Sequence, residues 1–105
     1  MPVAITMDFK GGTLEQYDEV IAKMGFEPNG PGTTDGGLFH WVAATADGIR
    51  VTDVWETPEQ FQRFADEKIG PVTQEVGVPG PPVLTFYDVH NHMVESAAAS
   101  SASSS

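Results

Sequence analysis

The first apolar stretch of the chain, residues 3–9, alternates large apolar side chains with smaller or polar ones, which is the period of a β-strand. Thr13 follows a Gly-Gly pair and is typical of a helix N-cap, and Gln16 completes a capping box. Gly25 suits the C-terminus of that helix. Between the two ends, apolar residues recur at helical spacing: Leu14, Tyr17, Ile21 and Met24. The pattern predicts a strand and then a helix of about three turns.

Two further strands are predicted over residues 38–46 and 49–56, where apolar runs flank the dipeptide Asp47-Gly48. Asp-Gly between apolar runs is a strong signal for a tight β-hairpin. The preceding residues 28–37 are rich in Pro and Gly and leave no room for regular structure. They are predicted to form a long loop, either a mobile flap or a slack linker.

The second half of the chain predicts another helix and a last strand. Thr57 is the N-cap of this helix, Gln60 completes a second capping box, and the Gly70-Pro71 pair is expected to kink or divide the helix. The last strand is predicted over residues 83–90. The buried face of the helix is predicted to contain Phe61, Phe64, Ala65, Val72 and Val76.

The predicted element order is β-α-β-β-α-β, within one domain of residues 1–93. A four-stranded antiparallel sheet with helices on one face is the ferredoxin-like arrangement, so the fold class is α+β. Residues 94–105 consist almost entirely of Ser and Ala, and we expect them to form a disordered tail. Because the strands are apolar on both sides, the uncovered face of the sheet predicts a homodimer in which two sheets pair.

The turn of the hairpin determines which side chains share a face. If residues 47–48 form a two-residue turn, Ala46 pairs with Ile49 and His40 with Trp55. A four-residue loop is expected to keep this pairing, and a loop of odd length to break it. Directly opposed residues point to the same side of a sheet. One face then contains His40, Val42, Ala44, Val51, Asp53 and Trp55. The other contains Phe39, Trp41, Ala43, Thr52 and Val54, and we expect it to pack under the helices.

His40 and Asp53 are the candidate catalytic residues on the first face. In this register they lie diagonally across the ladder, within reach of each other. A partly desolvated carboxylate beside an imidazole is one way in which proteins tune a general base. The alternative interpretation is that both residues lie at the rim of the sheet, or that Asp53 only satisfies a partner across the dimer.

The charge of the chain limits the possible partners. The 105 residues include 15 acidic and 5 basic side chains, for a formal net charge of −10. Such a surface repels phosphate backbones and anionic lipids, so neither nucleic acid nor a membrane is an expected partner. No basic segment precedes an apolar run at the N-terminus, and no apolar run approaches the roughly 20 residues of a membrane span. A cytoplasmic location is therefore expected.

The end of the last strand contains two further candidates, Tyr87 and His90. His90 and His92 have a spacing that would let them share a metal from one side of a strand. No third ligand is evident, so a solvated chain end is the favoured interpretation and no metal site is predicted. His90 is retained as a residue of the pocket rim. Tyr87 either offers its phenol to a ligand or packs in the core.

The stretch of residues 54–64 resembles a known superfamily. A strand that ends in Trp55 is followed by a capped helix with aromatic residues six and nine positions later, Phe61 and Phe64. This arrangement resembles the dimeric α/β-barrel superfamily, and within it the antibiotic biosynthesis monooxygenase-like proteins. The element order agrees over residues 2–92. The resemblance implies that two sheets pair into a barrel across a dimer, and that each subunit has a pocket between its sheet and its helices.

The resemblance also implies site residues. In cofactor-free members that oxidise aromatic polyketides, the matching Trp and the aromatic residue six positions later line the pocket, which implies Trp55 and Phe61 here. Those enzymes typically carry Asn where this chain has Val51, and this departure weighs against oxygenation of their usual kind. Haem-degrading members carry Trp and a haem-ligating His where this chain has Phe64 and Gln74. Haem degradation is therefore not expected.

These observations lead to one leading hypothesis and two alternatives. The chain is predicted to be a small enzyme without a bound cofactor or metal, which acts on an apolar or aromatic small molecule by monooxygenation, isomerisation or cyclisation. The predicted catalytic residues are His40 and Asp53, and the predicted substrate-binding residues are Trp55, Phe61, Val51, Val42, Tyr87 and His90. The alternatives are a non-catalytic ligand-binding or accessory protein that uses the same pocket, and a stable dimer whose pocket is filled by its own side chains.

Overall fold

The order of the strands and helices is the predicted one. A computed structural model describes residues 1–26 and 35–93. Along the chain the elements are β1 (Val3–Lys10), α1 (Leu14–Lys23), β2 (Gly37–Ala44), β3 (Gly48–Trp55), α2 (Pro58–Phe64), a π-helical segment (Ala65–Ile69), α3 (Gly70–Val76) and β4 (Val83–Asp88). The last strand ends two residues earlier than predicted. Residues 28–34 of the predicted flap or linker, and the predicted tail of residues 94–105, lie outside the described residues.

The four strands form one antiparallel sheet in the order β2-β3-β1-β4. The first strand lies in the middle, and Val3 is paired with Trp55 on one side and with Asp88 on the other. This topology, with both helical regions packed on one side, is the ferredoxin-like arrangement. The predicted α+β fold is confirmed.

The predicted pairing of the hairpin is wrong by two residues. Ala44, not Ala46, pairs with Ile49, and His40 pairs with Asp53 rather than with Trp55. The cause is the turn, which spans residues 45–48, with the amide of Thr45 donating to the carbonyl of Gly48 at 2.9 Å. A shift of two residues preserves the alternation of a strand, so the predicted division of side chains between the two faces is unchanged.

The helices cover the face opposite to the expected one. Phe39 and Trp41 were expected beneath the helices with Ala43, Thr52 and Val54, but they are 49% and 41% exposed on the open side of the sheet. The reason lies in β1, whose large apolar residues share a face with Asp53 and Trp55, whereas its other face carries Ala4, Thr6, Asp8 and Lys10. Covering the first face removes far more apolar area from water. The buried core is Val3, Ile5, Met7, Phe9, Ile49, Val51, Trp55 and Phe61.

The predicted helix caps are present. Thr13 and Gln16 form the predicted capping box of α1. At α2, the hydroxyl of Thr57 accepts from the backbone amide of Gln60, but the Gln60 side chain accepts from that hydroxyl instead of from the cap backbone. The second cap therefore satisfies one backbone donor where the predicted box would satisfy two.

The second helical region is divided at the predicted place. Its central turn is π-helical and leads directly into α3, which has Pro71 in its first turn. Proline has no N–H and its ring crowds the carbonyl four residues earlier, which is a reason for the backbone to widen there. None of the helices among residues 1–26 and 35–93 has the length and the apolar character needed to cross a membrane.

Candidate active site

A row of four hydrogen-bonded side chains runs between α1 and the covered face of the sheet. Tyr17 contacts Nε2 of His40 through its hydroxyl, Nδ1 of His40 lies 2.5 Å from Oδ1 of Asp53, and the indole of Trp55 donates to Oδ2 of Asp53 at 3.1 Å. We refer to Tyr17, His40, Asp53 and Trp55 as the polar network. It joins the edge strand β2, the neighbouring β3 and the helix above them.

Asp53 is the centre of the network because of its place in the sheet. It lies directly opposite His40 in the β2–β3 ladder and two residues before Trp55 on β3, so all three side chains point towards the helices. Asp53 is a polar residue buried in the apolar core, where it is 5% exposed. Burial of a carboxylate is costly unless hydrogen bonds compensate, and here each of its oxygens accepts from a different ring.

The contacts of His40 define its tautomer. A carboxylate that also accepts from an indole N–H acts as an acceptor, so Nδ1 of His40 carries the hydrogen and donates to Asp53. Nε2 of the neutral ring is then an acceptor, and the hydroxyl of Tyr17 donates to it. The His40 side chain is 36% exposed, whereas that of Asp53 is 7% exposed. The pair therefore connects a buried charge to a solvent-accessible ring.

Tyr17 is held as a neutral phenol. Burial raises its pKa to about 12, and the negative charges of Asp53 and Asp18 act in the same direction. Its ring lies 5.8 Å from that of His40, at an interplanar angle of 14°. At neutral pH this hydroxyl can donate one hydrogen bond and accept others, but it carries no charge of its own.

Aromatic side chains of the core pack against Trp55 and so support the polar network. The ring of Trp55 packs edge-on against that of Phe61, with centroids 6.2 Å apart. It lies tilted against the ring of Phe64, with centroids 5.2 Å apart. Phe61 contacts Phe86 of β4 at 5.8 Å and has no exposed surface. Phe61 therefore holds the indole of Trp55 in position from within the core.

The structure brings together six of the eight predicted site residues. His40, Asp53 and Trp55 are hydrogen bonded, Val51 and Phe61 lie in the core beside them, and Val42 packs against that core. The other two residues lie elsewhere. Tyr87 pairs with Ala4, so it lies on the open face of the sheet, where it is 55% exposed. His90 follows the end of β4 and is exposed.

Tyr17 is the member of the network that the sequence analysis did not identify as a site residue. Its helical spacing with Leu14 and Ile21 predicted an apolar helix face; Tyr17 packs against the core, whereas Leu14 is 41% exposed. The phenol of Tyr17 on a core-facing side of α1 was the available signal for a contact with His40. Using that signal requires knowing which face of the sheet the helix covers.

In the part of the chain that the structure describes, neither a metal site nor the open groove coincides with the polar network. Within residues 1–26 and 35–93, no group of three or more His, Asp or Glu side chains is arranged to hold a metal ion. An open groove of about 300 Å³ lies near the hairpin turn, and it includes no residue of the network. Its lining residues are Asp8, Phe9, Lys10, Thr45, Asp47, Ile49, Arg50 and Val83.

Comparison with solved structures identifies the same arrangement of strands and helices in another protein. This protein is a monooxygenase from the gene ActVA-Orf6 of Streptomyces coelicolor, in complex with the ligand nanaomycin D. The match covers 90% of this chain and 92% of the other, with a TM-score of 0.56 and 19% sequence identity. The chain has the fold of that monooxygenase. The predicted resemblance to the antibiotic biosynthesis monooxygenase-like proteins is thus confirmed for the fold, and it extends over almost the whole length of both chains.

The sequence comparisons give a different result. No protein-family model and no curated protein matches the chain. The relation to the monooxygenase from ActVA-Orf6 therefore lies in the topology β2-β3-β1-β4 and its helices, and the chemistry of the site has to be argued from the side chains of this chain.

Proposed function

We propose that this chain is a cofactor-independent enzyme that moves a proton to or from an apolar, aromatic small molecule, in a monooxygenation, isomerisation or cyclisation. The observation that carries the proposal is the contact between His40 and Asp53, at 2.5 Å, with the carboxylate buried and the imidazole partly exposed.

The geometry of the pair suits general acid–base catalysis. Asp53 fixes the tautomer and the orientation of His40, and its negative charge stabilises the imidazolium that forms when His40 accepts a proton. The indole of Trp55 donates to the second carboxylate oxygen, and this contact fixes the orientation of the Asp53 carboxylate towards His40. Side chains arranged in this way accept a proton without reorganising.

The surroundings of the pair favour an apolar substrate. The residues next to His40 and Asp53 on the covered face are aliphatic or aromatic, namely Val42, Val51 and Trp55. An apolar wall with few polar groups is typical of sites for small organic molecules. The monooxygenase that shares the fold was crystallised with a small-molecule ligand, nanaomycin D, which supports this choice of substrate class.

Anthrone is a suitable probe, because it is tricyclic, apolar and has an acidic CH2 group. Removal of a proton from that carbon gives the anthrone anion, and reaction with O2 then gives anthraquinone and water. Exchange of the CH2 hydrogens in D2O, followed by NMR, measures proton transfer, and O2 uptake measures oxygenation. We expect wild-type protein to accelerate the exchange, and His40→Gln and Asp53→Asn each to lower that rate by about 10²-fold or more.

Glu19→Gln is the matched control, because Glu19 is an exposed residue of α1 outside the network. Its exchange rate is expected to equal that of the wild type. Binding of anthrone without accelerated exchange would contradict the enzyme and favour a ligand-binding protein. Exchange without O2 uptake would assign the site to isomerisation or cyclisation chemistry.

We further propose that the chain forms a homodimer through the open face of the sheet. The supporting observation is the number of large side chains on that face, where Phe39, Trp41 and Tyr87 are 41% to 55% exposed. They lie on the two edge strands, and the centre of the face between them carries the small residues Ala4, Thr6 and Thr52. A second copy of the same face would cover these aromatic rings.

Light scattering coupled to size exclusion tests the dimer. Wild-type protein is expected at twice the chain mass, and Trp41→Glu at the chain mass with an unchanged far-UV circular dichroism spectrum. A monomeric wild type, at concentrations where the protein remains soluble, would contradict the pairing. This outcome does not depend on whether anthrone is turned over.

A further inference from the structure

We propose that the hydroxyl of Tyr17, rather than a nitrogen of His40, is the group that exchanges a proton with the bound molecule. This inference rests on the proposed function, because it names the terminal group of the same site. It makes Tyr17 a catalytic residue, and it places His40 and Asp53 behind it as the base and its counter-charge.

The first argument is the occupancy of the imidazole. Nδ1 of His40 is bonded to Asp53 and Nε2 to the hydroxyl of Tyr17, so both ring nitrogens already have partners. A molecule that approaches His40 would have to displace one of them. The phenolic oxygen of Tyr17, by contrast, uses its hydrogen towards His40 and keeps its lone pairs to accept from a bound molecule.

The second argument is the charge state of Tyr17. Burial and the nearby carboxylates raise its pKa to about 12, so the side chain is a phenol at neutral pH and not an anionic base. A neutral phenol can still pass a proton on if its own proton leaves in the same step. The contact with Nε2 of His40 provides the place to which that proton goes.

The resulting step is a proton relay in which no electrons are transferred. The bound molecule gives a proton to the oxygen of Tyr17, and the hydroxyl proton of Tyr17 moves to Nε2 of His40. The products are the conjugate anion of the bound molecule and an imidazolium, which pairs with the Asp53 carboxylate. The reverse movement returns the proton, so the same residues serve as base and as acid.

A pair of probes tests Tyr17 directly. 2-Naphthol and 2-methoxynaphthalene have the same ring system, but the methyl ether has no hydroxyl proton to give. We expect wild-type protein to bind the naphthol about tenfold more tightly than the ether, as one additional hydrogen bond allows. Tyr17→Phe, which removes one oxygen from a partly exposed side chain, should abolish this preference and leave the affinity for the ether unchanged.

Proton exchange of anthrone provides the second readout. Tyr17→Phe should lower the exchange rate to the level of His40→Gln, and the double variant should be no slower, because both residues act in one relay. Glu19→Gln serves as the control and should keep both the binding preference and the exchange rate.

Three results would overturn the inference. Equal binding of the two naphthalenes by the wild type, or binding of neither, would remove the role of the hydroxyl. Normal exchange in Tyr17→Phe with loss in His40→Gln would assign the contact to His40, and the proposed function would stand without Tyr17. If the binding preference depended on Tyr17 but wild-type protein did not accelerate exchange, the relay and the proposed enzyme would fail, and a hydroxyl-binding site would remain.

Discussion

Trp55 donates its indole N–H to the carboxylate of Asp53, the residue two positions earlier on the same strand, at 3.1 Å. Both side chains are buried, and the second oxygen of Asp53 accepts from His40. A strand places residues two apart on the same side, so this contact is built into the local backbone. It links the aromatic core of the protein to Asp53, a charged residue buried within that core.

Loss of the indole donor should destabilise the fold. A hydrogen bond to a charged group contributes about 1.5–3 kcal/mol, and some packing is also lost, so Trp55→Phe is expected to lower the free energy of unfolding by about 2–4 kcal/mol. Urea denaturation at a fixed protein concentration measures this change. In the background of Asp53→Asn the same substitution should have a smaller effect, and strictly additive effects would show that the two residues are not coupled.

Tyr17 should ionise later than an ordinary tyrosine. Its pKa is raised to about 12, chiefly by burial and then by the charges of Asp53 and Asp18. Between pH of about 10 and 12 the unfolded chain has lost this proton while the folded chain keeps it. The stability that Tyr17 contributes is therefore fully present below pH of about 10 and is lost as the pH rises to about 12.

An ultraviolet titration of phenolate absorbance tests the raised pKa. The sequence contains two tyrosines, Tyr17 and Tyr87, so Tyr17→Phe leaves one signal. The substitution is expected to remove the component that titrates near pH of about 12. It should also flatten the fall in stability at alkaline pH. A titration curve in which Tyr17→Phe removes a component near the ordinary pKa would refute the buried environment of the phenol.

Phe61 should be among the most sensitive core positions. It has no exposed surface and lies between Trp55 and Phe86, so truncation leaves a cavity among the aromatic side chains of the core. Phe61→Ala is expected to cost about 3–5 kcal/mol in urea denaturation. Leu14→Ala is the control, because Leu14 is 41% exposed, and it should cost less than about 1 kcal/mol. Similar losses in the two variants would mean that Phe61 is not packed as described.

Gly48 should resist substitution for a steric reason. A Cβ at this position would overlap the carbonyl oxygen of Phe9, which is backbone and cannot turn away. Gly25 is the useful comparison, because it has a φ of 86° but no atom of residues 1–26 and 35–93 lies within 4 Å of the position that a Cβ would take. Gly25→Ala is expected to cost about 1 kcal/mol from backbone strain alone. Gly48→Ala should lower the free energy of unfolding clearly more than Gly25→Ala does. Thermal unfolding of both variants at one protein concentration measures the difference.

The outcome of the sequence-based predictions differs between local and non-local features. The strand and helix order, the caps at Thr13 and Thr57 and the division near Gly70 are confirmed, because each depends on residues close together in the chain. The pairing of the hairpin was wrong by two residues, since the Asp-Gly signal did not define which residues close the turn. The error left His40, Asp53 and Trp55 on one face.

The sequence by itself determined that His40, Asp53 and Trp55 point to the same side of the sheet, because the alternation of side chains along a strand is a property of the backbone. Only the tertiary structure decided which side the helices cover and that Tyr17 meets Nε2 of His40. The position of α1 on the sheet depends on the total apolar area that β1, β3 and the helices can bury together. That sum is not a property of any single segment of the chain.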